Sequence, residues 1–274
     1  QVNQACISAR TSNNFDTPRL ASVPTPAPRT EPLPFDALFL RAQQIRPCAD
    51  DALPHYEILL GIRDDLEPPH TPQSFVVMAE HSGQIHHLDA WVLRSALTWM
   101  ESHGSALARL SGLSVNLSGQ SLVDTAHVDA MLEVLAEHAH LADRLIFEVT
   151  ETVAIGNLDT AVASLRRLRQ MGCRTALDDF GSGYSSYGYL RRLPLDYLKI
   201  DGIYIRNLLD NPTDQALTAS MVDVAHALGL KVIAEYVDNE ATCAWLKDIG
   251  VDYVQGYWVH TPQPLDTLFE LTLV

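Results

Sequence analysis

Residues 174–186 read RTALDDFGSGYSS, and the fold depends on how that stretch is understood. An apolar run, Thr175 to Leu177, stops at two adjacent aspartates, and a loop carrying Gly181 and Gly183 follows. Short apolar runs bounded by such punctuation are buried strands. Two carboxylates side by side at a strand end work against both burial and mutual repulsion. Taken alone, a solvated strand end accounts for them equally well, so the rest of the chain has to decide.

Outward from this point, strands and helices alternate. Strand patterns fall at 38–45, 56–64, 113–118, 144–151, 174–180, 197–203, 231–237 and 252–258. Helical patterns lie between most of them, at 88–100, 128–139, 158–172 and 215–229, with glycines 104, 172 and 229 placed to end helices. Eight strands with crossover helices fit an α/β, TIM-like (β/α)8 barrel better than an open, doubly wound sheet, which remains the alternative. Only the first two strands lack an intervening helix, so that pair is expected to run antiparallel.

The barrel is expected over residues 35–274. Before it, residues 16–34 hold six prolines and few bulky apolar residues, the composition of a semi-rigid linker. Residues 1–15 are expected to be the tail of a preceding domain. The chain is 47% hydrophobic, enough for one large core. Its 19 Lys and Arg against 34 Asp and Glu give a net charge of −15, which repels polyanions and argues against a polymeric nucleic acid as partner. The four cysteines, Cys6, Cys48, Cys173 and Cys243, are scattered and suit a reducing, cytoplasmic setting. No apolar run reaches the roughly 20 residues a membrane span requires, so any anchor of a full-length protein is expected outside this stretch.

In a barrel of this kind chemistry sits at the C-terminal ends of the strands. Polar residues gather there: Asn116, Glu148 with Glu151, Asp178 with Asp179, Lys199 with Asp201, Glu235 and Gln255. Glu57 opens the second, antiparallel strand, whose start is expected to face the same rim. Singly, each is ordinary: a strand-end Glu is usually solvated and a Lys usually snorkels. Together they put one polar residue on nearly every strand, at one rim. Carboxylates this dense repel unless neutralised. Clusters of Asp, Glu and Asn suit hard cations such as Mg²⁺ or Mn²⁺, and none of the eleven histidines falls at these strand ends, which disfavours zinc. Adjacent aspartates can serve two ions about 3.5–4 Å apart. In that reading the ions remove the repulsion that made the Asp178–Asp179 pair look unfavourable, Lys199 orients or polarises the attacking water, and Glu235 ligates or takes a proton.

These residues also carry a family pattern. YEILL at 56–60, VNLS at 115–118, FEVTE at 147–151, DDFGSGYSS at 178–186, LPLDYLKID at 193–201, IAEYV at 233–237 and QGYW at 255–258 occur in that order. The chain resembles EAL-domain phosphodiesterases over residues 35–274. That resemblance implies linearisation of cyclic di-GMP to pGpG with two Mg²⁺ or Mn²⁺ ions. It implies Glu57, Asn116, Glu148, Asp178, Asp179 and Glu235 as metal ligands, Lys199 and Glu235 as the pair handling the water, and Glu151 as the anchor of the DDFGSGYSS loop. Gln43, Leu59 and Gln255 are implied as substrate contacts, and a homodimer as the assembly. QACISARTSNN at 4–14 more faintly resembles the last helix of GGDEF cyclase domains, implying an upstream GGDEF domain and sensor.

Three positions depart from the pattern. Ile58 replaces the signature alanine beside Glu57, Gly61 stands where an arginine would grip a phosphate, and Gln44 stands where a proline follows Gln43. Losing the arginine is expected to weaken substrate binding unless Arg63 reaches in. Two functions follow: an active cyclic di-GMP phosphodiesterase in bacterial second-messenger signalling, which the complete acidic set favours, and a catalytically weak or inactive cyclic di-GMP receptor that signals through a partner.

Overall fold

Strand burial on both faces is what the apolar runs produce. Leu145 to Val149 are buried, as are Thr175 to Asp178, so these strands are covered by side chains inside and by helices outside. The computed structural model describes residues 33–63, 71–182 and 187–267. The expected tail and nearly all of the expected linker lie outside the described residues, as do 183–186 of the quoted loop and 268–274.

Eight strands close into a barrel: β1 (Leu38–Pro47), β2 (His55–Ile62), β3 (Gly112–Asn116), β4 (Leu145–Thr150), β5 (Arg174–Phe180), β6 (Tyr197–Ile200), β7 (Lys231–Ala234) and β8 (Tyr253–Val254). From β2 to β8 each strand pairs in parallel with the next. β1 then pairs antiparallel with both β2 and β8, which completes the ring and excludes the open sheet. A short β9 (Gln263–Pro264) adds to β1. The first two strands are antiparallel as expected, but the reversed strand is β1. β2 runs with the others, so the position of Glu57 does not come from a reversed β2; it is the third residue of a strand pointing the same way as the rest. Because β1 runs the other way, its first residue, Leu38, pairs with Ile62 at the mouth end of β2.

The helices are α1 (Pro72–His81), α2 (Ile85–Ser102), α3 (Gly104–Leu107), α4 (Gly119–Val123), α5 (Thr125–Glu137), α6 (Glu151–Gly156), α7 (Leu158–Gln170), α8 (Pro212–Ala227) and α9 (Glu240–Asp248). Local chemistry sets their ends. Asn211 caps α8 by accepting from the Thr213 and Asp214 amides, with Pro212 in the first turn. Gly172 and Gly229 end α7 and α8 at φ +100 and +77, the left-handed closure glycine permits. Gly104 instead opens α3. Among the described residues no helix is long and apolar enough to cross a membrane.

Two apolar layers position the site. The larger lies between strands and helices. The smaller fills the barrel's lower interior with Ile45, Ile146, Ala176, Tyr197, Ile233 and Tyr253. Side chains alternate along a strand, so the residues two places further on stand above this floor, inside the barrel: Glu148 over Ile146, Asp178 over Ala176, Lys199 over Tyr197, Glu235 over Ile233, Gln255 over Tyr253. On the reversed β1 the order inverts, and Gln43 precedes Ile45.

Candidate active site

Lys199 lies at the centre of this upper layer. It is fully buried, and its Nζ meets Glu148 Oε2 at 2.7 Å, Glu235 Oε1 at 2.9 Å, Asp178 Oδ1 at 3.0 Å and Glu57 Oε2 at 3.4 Å. Burial works against the ammonium, but Asp178, Glu148, Glu235 and Glu57 outweigh it and raise the lysine well above its ordinary pKa. One cation cannot balance four carboxylates. Burial pushes Glu148 up to about 8 against the pull of Lys199, with Glu57 and Asp178 adding to the rise. Glu235 is likewise raised well above the ordinary carboxylate range by burial and by Asp178 and Glu57. Glu57 goes the other way: burial opposes its charge, yet Lys199 and the Gln255 and Asn116 amides hold it low. Gln255 Nε2 donates to Glu57 Oε2 at 2.6 Å and Asn116 Nδ2 to Glu57 Oε1 at 2.8 Å.

The paired aspartates solve their geometry with a bulge. In a regular strand Asp178 and Asp179 would point to opposite faces. Here the β5–β6 register shifts between Leu177 and Phe180, and Asp179 sits at φ +55, a conformation Asp tolerates better than most residues. Both carboxylates therefore face the mouth. One carboxylate oxygen each of Asp178, Asp179 and Glu235 lies within 4.8 Å of the others, a group that could hold a metal ion. Burial and the neighbouring Asp178 and Asp201 charges push Asp179 up to about 6. Buried Glu148 Oε1 has no hydrogen-bond partner. A set of clustered carboxylates, one with an unused buried oxygen, fits a hard divalent cation.

Above the acidic layer opens a cavity of about 650 Å³. Gln43, Leu59 and Gln255 line it, as do Glu57, Asp179 and Glu235. Gln43 donates to the His260 carbonyl at 2.9 Å and accepts from Gln255 at 3.2 Å, so the two glutamines hold one another. Glu151 takes no part in this wall and belongs to no strand: it opens α6 immediately after β4, fully buried. Its Oε2 accepts from the Gly181 amide at 2.9 Å and its Oε1 from the Tyr189 hydroxyl at 2.7 Å. The Gly181 carbonyl accepts from the Tyr204 hydroxyl at 2.8 Å, so that residue is held through both its amide and its carbonyl just past the aspartates. Asp201 accepts from the Ile203 amide and shapes the turn after β6.

The departures resolve differently. A Cβ at Gly61 would lie 2.6 Å from the Phe39 ring, and Phe39 pairs with Gly61 across β1 and β2. The aromatic ring covers the strand glycine, a recognised way of rescuing such a position. Arg63 is exposed past the end of β2 and does not line the cavity. At Gln44 the backbone amide donates to His260 Nδ1, a bond proline would forfeit. The sequence reading missed Arg206, Tyr236, Asp238 and Tyr257, which complete the wall from segments outside the strands. Tyr236, Asp238 and Tyr257 lie within three residues of Glu235 or Gln255, whereas Arg206 has no such neighbour in the sequence.

Barrel and site together define a (β/α)8 protein with an acidic, cation-suited mouth. The chain belongs to the EAL domain family, whose model matches residues 35–262. It is 40% identical over 218 residues to the cyclic di-GMP phosphodiesterase PdeB of Shewanella oneidensis, covering 78% of this chain and 25% of that protein. To the cyclic di-GMP phosphodiesterase PdeF of Escherichia coli it is 36% identical over 240 residues, 87% of this chain and 32% of that protein. The chain thus spans a quarter to a third of the length of these relatives. Among solved structures, the PaMucR phosphodiesterase in complex with cyclic di-GMP superposes with a TM-score of 0.78 at 32% identity, covering 85% of this chain and 94% of that one.

Proposed function

We propose that this domain hydrolyses cyclic di-GMP to linear pGpG. The observation that carries the reading is the Lys199 ammonium ringed by Glu57, Glu148, Asp178 and Glu235 beneath an open cavity. The names and ligand of the relatives supply the substrate. Water attacks the phosphorus of one phosphodiester, a new P–O bond forms, and the bond to the ribose 3′ oxygen breaks, opening the ring. Mg²⁺ or Mn²⁺, two ions in the full reading, would be held by Glu57, Asn116, Glu148, Asp178, Asp179 and Glu235, and would supply positive charge for the developing phosphoryl charge.

The protein's own groups do the rest. Lys199 orients the attacking water, and Glu235, whose Oε1 lies 2.9 Å from the Lys199 ammonium at the cavity wall, accepts the proton that water gives up. Gln43, Leu59 and Gln255 contact the substrate from the wall. Glu151 acts through the Gly181 peptide, fixing the backbone that aims Asp178 and Asp179. The same reading extends to a homodimer and to an upstream GGDEF domain, supported by the family and by the N-terminal resemblance alone.

The test is purified protein with cyclic di-GMP and Mg²⁺ or Mn²⁺, with and without chelator, and products resolved by chromatography. Metal-dependent pGpG is expected. Equal rates with and without chelator would remove the metal from the account. Tight binding with no turnover would mark a receptor instead.

A further inference from the structure

Tyr236 is built at a cost that folding does not explain. It follows Glu235 directly and sits at φ +55, a backbone region that side chains other than glycine, asparagine and aspartate rarely occupy. The residue is 54% exposed, so it covers little of the core. The surroundings are shaped to it. A Cβ at Gly202 would fall 2.1 Å from Tyr236 Cδ2, so any other residue at 202 would collide with the ring. The Arg206 guanidinium lies 4.2 Å from the ring centroid, and both side chains line the cavity beside Asp179 and Glu235. Strained residues persist where the strain serves a site.

We infer that Tyr236, backed by Arg206, is a stacking platform for a purine base of the dinucleotide, and so a specificity-determining residue. The inference rests on the proposed cyclic di-GMP reading. A flat π-face held rigid by a guanidinium is the surface that nucleobases stack on. It stands at the wall next to the carboxylates that would handle the phosphodiester. A base laid on the tyrosine therefore leaves its attached phosphate directed to the acidic mouth. The ring selects for a base and the mouth acts on the phosphate.

The test measures equilibrium binding of cyclic di-GMP by calorimetry with Ca²⁺ as the only divalent cation, whose larger radius and looser geometry leave the substrate bound without turnover, together with thermal unfolding. Tyr236→Gly relieves the backbone, and its Tm is expected to equal or exceed that of the wild type. Stacking of a base on an aromatic side chain contributes roughly fivefold to more than a hundredfold in affinity, so Kd is expected to rise at least about fivefold. Tyr236→Phe keeps the face and is expected to bind within about twofold of wild type on the same basis. A Tyr236→Gly protein that folds and binds like wild type overturns the platform. So does a Tyr236→Phe protein as weak as Tyr236→Gly, since that would place the contact on the hydroxyl. A wild-type protein that binds no cyclic di-GMP overturns the functional reading itself, and the platform with it.

Discussion

Replacing Lys199 with methionine tests the electrostatic core of the site. The substitution keeps the length and apolar stem of the side chain and removes the single ammonium that touches four carboxylates at 2.7 to 3.4 Å. Breaking a buried pair by deleting one partner costs about 3–5 kcal/mol, because the other charge is left uncompensated. For a domain of this size each kcal/mol moves Tm by about 2–4 °C, so the variant is expected to melt about 6–20 °C lower at pH 8 in chelator. The loss must depend on pH, with a definite sign. Glu148 is already pushed up to about 8 in the folded protein, so it binds its proton more tightly there than in the unfolded chain. Stability therefore falls as pH climbs from the ordinary carboxylate value of 4.5 toward 8. Without the lysine this dependence steepens, and at pH 5.5, where Glu148 carries its proton, much of the deficit should vanish. Mn²⁺ should raise the Tm of the variant more than that of the wild type, by supplying the missing charge. Calorimetric unfolding at the two pH values decides the matter. A loss at pH 8 under about 1 kcal/mol, the range of an exposed pair, or an equal loss at both pH values, would show that Lys199 does not neutralise the cluster.

Asp178→Asn should abolish turnover and leave the far-ultraviolet circular dichroism unchanged, since the barrel floor lies below that carboxylate; retained activity would remove Asp178 from the metal set. Glu151→Ala strands the Gly181 amide and the Tyr189 hydroxyl, a loss of about 1–3 kcal/mol for each buried unpaired group. It should lower the rate and weaken Mn²⁺ binding without removing a ligand, and an unchanged Mn²⁺ titration followed by electron paramagnetic resonance would rule out the anchor role. Gly61→Arg must displace the Phe39 ring, so it should destabilise by about 1–3 kcal/mol as overpacking does and fail to improve KM unless Phe39→Ala accompanies it. A single variant with a lower KM and unaltered Tm would contradict the packing described. Ca²⁺ in place of Mg²⁺ should suppress product formation, as its larger radius and looser geometry misplace the water.

The period of two made most of the site readable. Glu148, Asp178, Lys199, Glu235 and Gln255 each stand two residues beyond an inward apolar residue, so the alternation that defines a strand also places its last inward side chain at the mouth. Strand ends were less readable. Glu151, Asp201, Glu235 and Gln255 were assigned to strands, yet each is the first residue past one, because pairing with neighbours decides where a ladder stops. The reversal of β1 was half visible: a short loop shows that two strands oppose each other, but only the β2–β3 pairing shows which of them runs with the barrel. The bulge that turns Asp179 toward Asp178, and the Phe39 ring over Gly61, come from contacts between strands and leave no local trace. Arg206 and Tyr236 were missed for the same reason, since they meet only in three dimensions.

The reversed first strand has a topological consequence. In a barrel made wholly of parallel strands, the chain enters at the end opposite the chemistry. Here Leu38 enters beside Ile62, at the mouth, and β1 descends from there. A segment joined ahead of Leu38 is thus attached at the mouth end of the barrel, through residues 33–38 that pack against α1 and α2 beside it. Signal-responsive fusions built on this barrel should be attached at that end, because an attachment at the opposite end would have to work through the whole sheet.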